Sequence, residues 1–255
     1  MLRLDLQGTW TGLKAAWRRE ISAYFATPLA YVFVAIFLLV LGIFTWELSR
    51  FFDTGAADLE PFFYWHPWLF MLFMPALAMR LWSDESSQGT AELLLSLPVN
   101  LTGLVIGKLL AAWTVAALAL VMTFPWWLTV NALGPADNAA IALTYFMSLI
   151  MAGAYLAIGA AVSALTRSSV LAFVIGVLIA FVLTAAGWPL VSGAVASTFG
   201  AAAGEAIAQF SFLTHFETAQ RGVRELRGRV FFFGFTALCV ALNALFVSHR
   251  RGGAQ

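Results

Sequence analysis

The chain has 255 residues, 62% of them hydrophobic and 11% charged, with a formal net charge of +1. Soluble domains carry about 25% charged residues, so this composition, with a mean hydropathy of +0.87, excludes a soluble domain and places the chain among integral membrane proteins. The near-zero charge gives no basis for a nucleic-acid partner, and one cysteine, Cys239, can build neither an internal disulfide nor a zinc site alone.

Residues 1–28 are charged and amphipathic. Trp10, Leu13, Trp17, Ile21, Tyr24 and Phe25 recur at helical spacing, while Lys14, Arg18 and Ser22 form the opposite stripe. The segment Gly8–Phe25 reads as a helix in the inner membrane interface, basic side toward lipid headgroups. A helix packed on another subunit is the alternative. Thr27-Pro28 reads as the N-cap and first residue of the first span. That first apolar run is about 20 residues long, which fits a span rather than a signal-peptide core of roughly 7–15.

Six spans are expected: Leu29–Leu48, Phe62–Leu81, Gly103–Val130, Ile141–Ala164, Ser169–Val191 and Val230–Ser248. Helices are the natural choice, because a barrel would show short alternating strands. The third run is longer than a span needs and should tilt, kink or project. Pro75, Pro125 and Pro189 could supply fixed bends. Phe33, Phe37 and Trp113 are candidates to line a path, though packing is the favoured role for each.

Lys and Arg set the orientation. With both termini in the cytoplasm, Arg3, Lys14, Arg18, Arg19, Arg80, Lys108, Arg167, Arg250 and Arg251 fall inside. Arg50, Arg221, Arg224, Arg227 and Arg229 fall outside, and the last four run against the rule. The tryptophans agree with six spans: Trp46, Trp65, Trp68, Trp126, Trp127 and Trp188 fall near outer ends, Trp10, Trp17 and Trp82 near the inner surface, and only Trp113 lies deep.

Residues 192–229 read as one long external loop. It starts small and flexible, with a short helix expected over Ala206–Leu213. His215, Phe216, Glu217, Arg221 and Gly222 are candidates for an external gate or for contact with a periplasmic or auxiliary membrane partner. Equally, Glu217 and Arg221 stand four apart and could simply form a helical ion pair.

Several chemistries fail. Gly103–Leu109 superficially resembles a phosphate-binding loop, but the glycine spacing is one short, no Ser or Thr follows Lys108, and no strand precedes it. Gly103 and Gly107 read instead as permitting close helix contact, with Lys108 snorkelling to the inner headgroups. His66, His215 and His249 lie in separate segments without metal-site spacing. No hydrolase motif appears, so an integral-membrane enzyme would lack a catalytic cluster. No Asp, Glu, Lys or Arg lies near a midplane, which speaks against harvesting an ion gradient.

One polar insert interrupts the apolar pattern: residues 82–98, containing Ser83-Asp84-Glu85-Ser86-Ser87-Gln88-Gly89-Thr90-Ala91-Glu92, then Leu93–Leu97 and Pro98. As a cytoplasmic helix starting near Ser83 it would hold Asp84 and Glu85 in its first turn, favourable to the dipole. Gly89-Thr90 could bend it, and Pro98 would stop it. An ordinary interfacial helix and a docking helix for a partner fit these residues equally well.

The Gly89-Thr90-Ala91-Glu92-Leu93-Leu94 core after acidic residues, Pro98 before the third span and Gly107-Lys108 at its start resemble the signature of type 2 ABC exporter permeases. Ser211–Glu217 and Arg221-Gly222-Val223 bring the chain nearest the gliding-motility-type subgroup. The resemblance extends over essentially the whole chain, read as a single permease domain, residues 1–255. It implies an all-α integral membrane fold: six transmembrane helices, an N-terminal amphipathic interfacial helix and a cytoplasmic coupling helix at 82–98. It further implies a bacterial inner membrane location, a second permease copy or related permease chain, and two cytoplasmic ABC ATPase subunits. Asp84, Glu85, Gln88, Gly89, Thr90 and Glu92 become ATPase-coupling candidates, with Arg167 in the turn Thr166–Ser169 as a smaller contact or merely a charged turn. The chain itself would bind no cofactor; ATP and Mg would sit on the ATPase. Membrane lipid would surround it. A non-transporting anchor for an ATPase-driven motility, secretion or maturation complex would carry the same helix and is the alternative. The cargo stays open, because similar scaffolds handle many substrates.

Overall fold

A computed structural model of the protein describes residues 6–51, 57–90, 100–220 and 226–252. Every regular element among them is helical: α1 Leu6–Ala26, α2 Leu29–Ile43 extended by a π-helical segment Phe44–Leu48, α3 Glu60–Phe63, α4 His66–Ala78, α5 Arg80–Ser87, α6 Leu101–Val121, α7 Phe124–Leu133, α8 Asn138–Ser163, α9 Ser169–Ala185, α10 Pro189–Phe199, α11 Ala201–Gln209, α12 Phe212–Gln220 and α13 Leu226–Gly252. Among the described residues five helical segments are long and apolar enough to cross a membrane, and a sixth forms if α9 and α10 count together. The chain is an all-α integral membrane protein.

The bundle is organised around α8. Asp137 caps its start, accepting from the Ala139 and Ala140 amides at 3.0 Å. From Ile150 to Ala164 every residue is buried, as befits a helix apolar on all sides. Against it pack α4, α6, α9, α12 and α13. Lipid tails are as apolar as these side chains, so close van der Waals fit holds the helices together, and small residues permit it. Pro75, inside α4, shows how. A β-carbon at Gly159 would stand 2.8 Å from Ala78 Cβ and 3.0 Å from Pro75 Cα, and one at Gly176 of α9 would stand 3.2 Å from Pro75 Cβ. The proline lies between two helices that make room for it with hydrogen atoms.

The long third apolar run is two helices broken at Met122-Thr123. Pro125 sits in the first turn of α7, where its missing amide costs nothing. The Thr123 hydroxyl donates to Leu120 O at 2.6 Å, and the Tyr145 hydroxyl of α8 donates to Thr123 O at 3.3 Å. Those bonds satisfy carbonyls near the break. Nearby aromatic rings interlock at the same end of the bundle: Trp46 on Trp126 at 4.9 Å and Phe62 on Trp126 at 5.6 Å between centroids. Phe37 packs on Phe70 and Phe73, and the Trp113 indole donates to Leu149 O at 2.8 Å. These side chains serve packing.

Three expectations need correction. The Thr27 hydroxyl bonds back to Ala23 O and Tyr24 O at 3.4 Å, so it extends the end of α1 rather than capping α2; Pro28 takes the N-cap position. The fifth span does not run to Val191: α9 ends at Ala185, and α10 starts at Pro189 with its axis bent by 72°. The segment after Ser192 is helical, not a flexible loop. It forms α10, α11 and α12, and the helix placed over Ala206–Leu213 is interrupted at Phe210-Ser211. There the Ser211 hydroxyl donates to Thr184 O at 3.0 Å and accepts from the Leu213 amide at 3.1 Å, which ties the start of α12 to α9.

Candidate functional site

The polar insert begins inside the bundle. After a break at Met79, α5 continues α4, and Leu81, Trp82 and Ser83 are buried. The helix starts at Arg80, not near Ser83, so Asp84 and Glu85 are not in its first turn and gain nothing from the dipole. Asp84 pairs with Arg80 one turn back at 2.8 Å. The Gln88 amide donates to Asp84 O at 3.1 Å. Gly89 follows with φ +70, the left-handed conformation that ends helices. The Thr90 hydroxyl reaches back to Glu85 O at 3.3 Å. Ser87, Gln88, Gly89 and Thr90 are exposed. Glu92 lies outside the described residues, as does the rest of the insert to residue 99.

Glu85 turns the other way, toward Lys108. The Lys108 ammonium is 1% exposed and donates three hydrogen bonds: to Glu20 of α1 at 2.7 Å, to Glu85 of α5 at 3.0 Å and to Leu81 O at 2.7 Å. It lies 4.9 Å from the centre of the Trp82 ring. Arg19 closes the cluster, bonding Glu20 at 3.0 Å and also Glu85. Lys108 therefore does not snorkel to headgroups. Its three donors are consumed by partners contributed by two other helices. Removing one partner from such a buried pair leaves an uncompensated charge, at about 3–5 kcal/mol. Beside the cluster is a cleft of about 270 Å³ lined by Arg19, Glu20, Arg80, Asp84, Glu85 and Lys108, among others. These are three positive and three negative groups.

The close approach of α1 to α6 makes the cluster reachable. A β-carbon at Gly107 would stand 2.6 Å from Leu13 O and 2.8 Å from Ala16 Cβ, and one at Gly103 would collide with Thr9 O. The glycines permit close helix contact, here with α1. The Asn100 amide donates to Thr9 Oγ1 at 2.7 Å, Trp17 Nε1 to Thr114 Oγ1 at 3.0 Å and the Tyr24 hydroxyl to Leu77 O at 2.8 Å. Lys14, Arg18 and Ser22 point outward, exposed. The residue that sequence reasoning missed is Glu20. Its signal was present: it shares the apolar stripe with Leu13, Trp17 and Tyr24, an odd place for a carboxylate.

Arg167 is exposed in the turn between α8 and α9. Both helices pack against α5, so that turn and the tip of α5 share one end of the bundle. The external candidates are elsewhere. His215 stacks on Phe231 of α13 at 4.1 Å, and its Nε2 meets Gln209 O at 2.9 Å. Phe212 and Phe216 are fully buried, with Phe212 edge-on to Tyr155, Phe231, Phe232 and Phe235. His215 and Phe216 thus pack α12 into the bundle rather than offering a free outer surface. Glu217 is half-buried; Arg221 and Gly222 lie outside the described residues.

Residues 68–248 match the family model described as ABC-2 family transporter protein. No curated protein matches the chain.

Proposed function

The chain belongs to the ABC-2 transporter family, and on that premise we propose that it is the permease subunit of an ABC-type exporter. It works with a second permease copy or related chain in a bacterial inner membrane, and its movement is driven by separate cytoplasmic ABC ATPase subunits that hold ATP and Mg. One observation carries this reading. The second membrane-crossing segment continues into α5, whose base is buried in the bundle and whose polar tip, Ser87–Thr90, is exposed. A partner that grips this tip moves a lever already embedded in the membrane helices. Gln88, Gly89 and Thr90 are the contact, with Asp84 and Glu92 flanking it and Arg167 beside it. Closure of the ATPase pair on ATP shifts the two bundles relative to each other, because ATP and cargo favour different states of the complex.

The test is reconstitution in vesicles with the ATPase. Asp84→Lys combined with Glu92→Lys should insert normally but lose stimulation of ATP turnover. Lysine at 84 also faces Arg80, a like-charge pair one turn apart. Unchanged stimulation would remove the coupling assignment. ATP-dependent movement of solute or lipid in these vesicles separates a transporter from a membrane anchor.

Orientation has its own check. A cysteine at Ala201, exposed at the turn between α10 and α11, should react with an impermeant thiol reagent applied to whole cells. Labelling only after lysis would invert the topology.

A further inference from the structure

We propose that Lys108, with Glu20 and Glu85, is a positioning latch that makes α1, α5 and α6 move as one body. Its role in transport rests on the reading of α5 as the ATPase-coupling segment. The cluster is not built for a ligand. Its cleft is lined by three cations and three carboxylates, and each cation has a carboxylate partner within the chain.

Its geometry is that of a joint. Glu20 is 88 positions from Lys108 and Glu85 is 23 away, so one ammonium ties three elements that the chain itself leaves free to slide. Leu81 O, the third partner, fixes the base of α5 as well as its side chain. Apolar residues of similar volume would hold these helices at least as stably. What charges add is register: a methylene contact tolerates slippage along a helix, whereas an ammonium displaced from two carboxylates does not. The Glu85 carboxylate bonds both Lys108 and Arg19 through Oε1, and among the described residues its buried Oε2 has no hydrogen-bond partner. The joint therefore holds the three helices in one register, so that a pull on α5 carries α1 and α6 with it.

The experiment has two arms. The first uses the permease alone in lipid vesicles, with spin labels at Ala23 and Ser87 reporting the distance between α1 and α5. Wild type should give one narrow distribution, and Lys108→Met a broad one. The triple variant Lys108→Met, Glu20→Gln, Glu85→Gln removes the buried ammonium together with both of its carboxylate partners and so retains folding, judged by its melting temperature. It should still give the broad distribution. A narrow distribution in the triple variant overturns the latch, whatever the ATPase does. The second arm adds the ATPase. Both variants, here without spin labels, should copurify with it in the wild-type ratio, because Ser87–Thr90 is untouched, yet move several-fold less cargo per ATP. Wild-type cargo per ATP in the triple variant reduces the cluster to a structural ion network and overturns its role in transport. If wild type itself fails to bind the ATPase, the proposed function fails and the role in transport with it, while the distance arm still decides the latch.

Discussion

Gly159→Leu is expected to prevent assembly of the helix bundle. The first added carbon alone would stand 2.8 Å from Ala78 Cβ and 3.0 Å from Pro75 Cα, where carbon atoms rest at about 3.5–4.0 Å. Neither neighbour can rotate aside, since one is an alanine β-carbon and the other is backbone. α4 and α8 would have to separate, and α9 with them, because Gly176 contacts the same proline. Overpacking a soluble core costs about 1–3 kcal/mol, occasionally more. Here the displaced helices have no hydrophobic penalty holding them together in lipid, so the loss of fit is uncompensated. Size-exclusion profiles and thermal unfolding in mild detergent provide the measurement. A monodisperse peak with the wild-type melting temperature would refute the three-helix contact. Gly176→Ala, meeting Pro75 at 3.2 Å, should be much milder.

The features legible in the sequence were those carried by local pattern. Apolar runs marked the spanning segments, the stripe in Gly8–Phe25 marked α1, and the excess length of the third run foretold its break. Gly103 and Gly107, four apart, marked a close contact. What stayed hidden depended on distant partners. Lys108 reads as a snorkelling end residue until Glu20 and Glu85 are brought beside it, and nothing local to Gly107-Lys108-Leu109 announces them. The stretch after Ser192 hid for the opposite reason. Alanine, serine and glycine give α10 and α11 no apolar period to detect, and α10 has no buried residue. In α12 the buried faces of Phe212 and Phe216 are four apart, a recognisable spacing, but two aromatics in a nine-residue helix cannot be told from an exposed patch without α8 and α13 in place.

Gly107→Val should uncouple the protein while leaving the membrane fold intact. The substitution keeps α6 fully apolar at that position, so insertion and the packing around α8 are unaffected. Its Cβ, however, meets Leu13 O at 2.6 Å, Ala16 Cβ at 2.8 Å and the Trp17 amide nitrogen at 3.2 Å, and two further methyl groups follow. α1 must lift from α6, and Glu20, one turn beyond Ala16, lifts with it. A hydrogen bond of 2.7 Å to Lys108 does not survive a displacement of an ångström or more, so Lys108 keeps only Glu85 and Leu81 O. The variant should therefore reproduce Lys108→Met in transport per ATP without changing any charged residue. α1 should also become easier to cut, with trypsin reaching Arg18 and Arg19 sooner than in wild type. The decisive measurement is the double variant Gly107→Val, Lys108→Met. Changes that break one joint are non-additive, whereas independent defects add within about 0.3–0.5 kcal/mol. The double variant should transport no worse than the poorer single one. Losses that multiply would mean that α1 and Lys108 contribute separately, and the three-helix lever would have to be divided into independent parts.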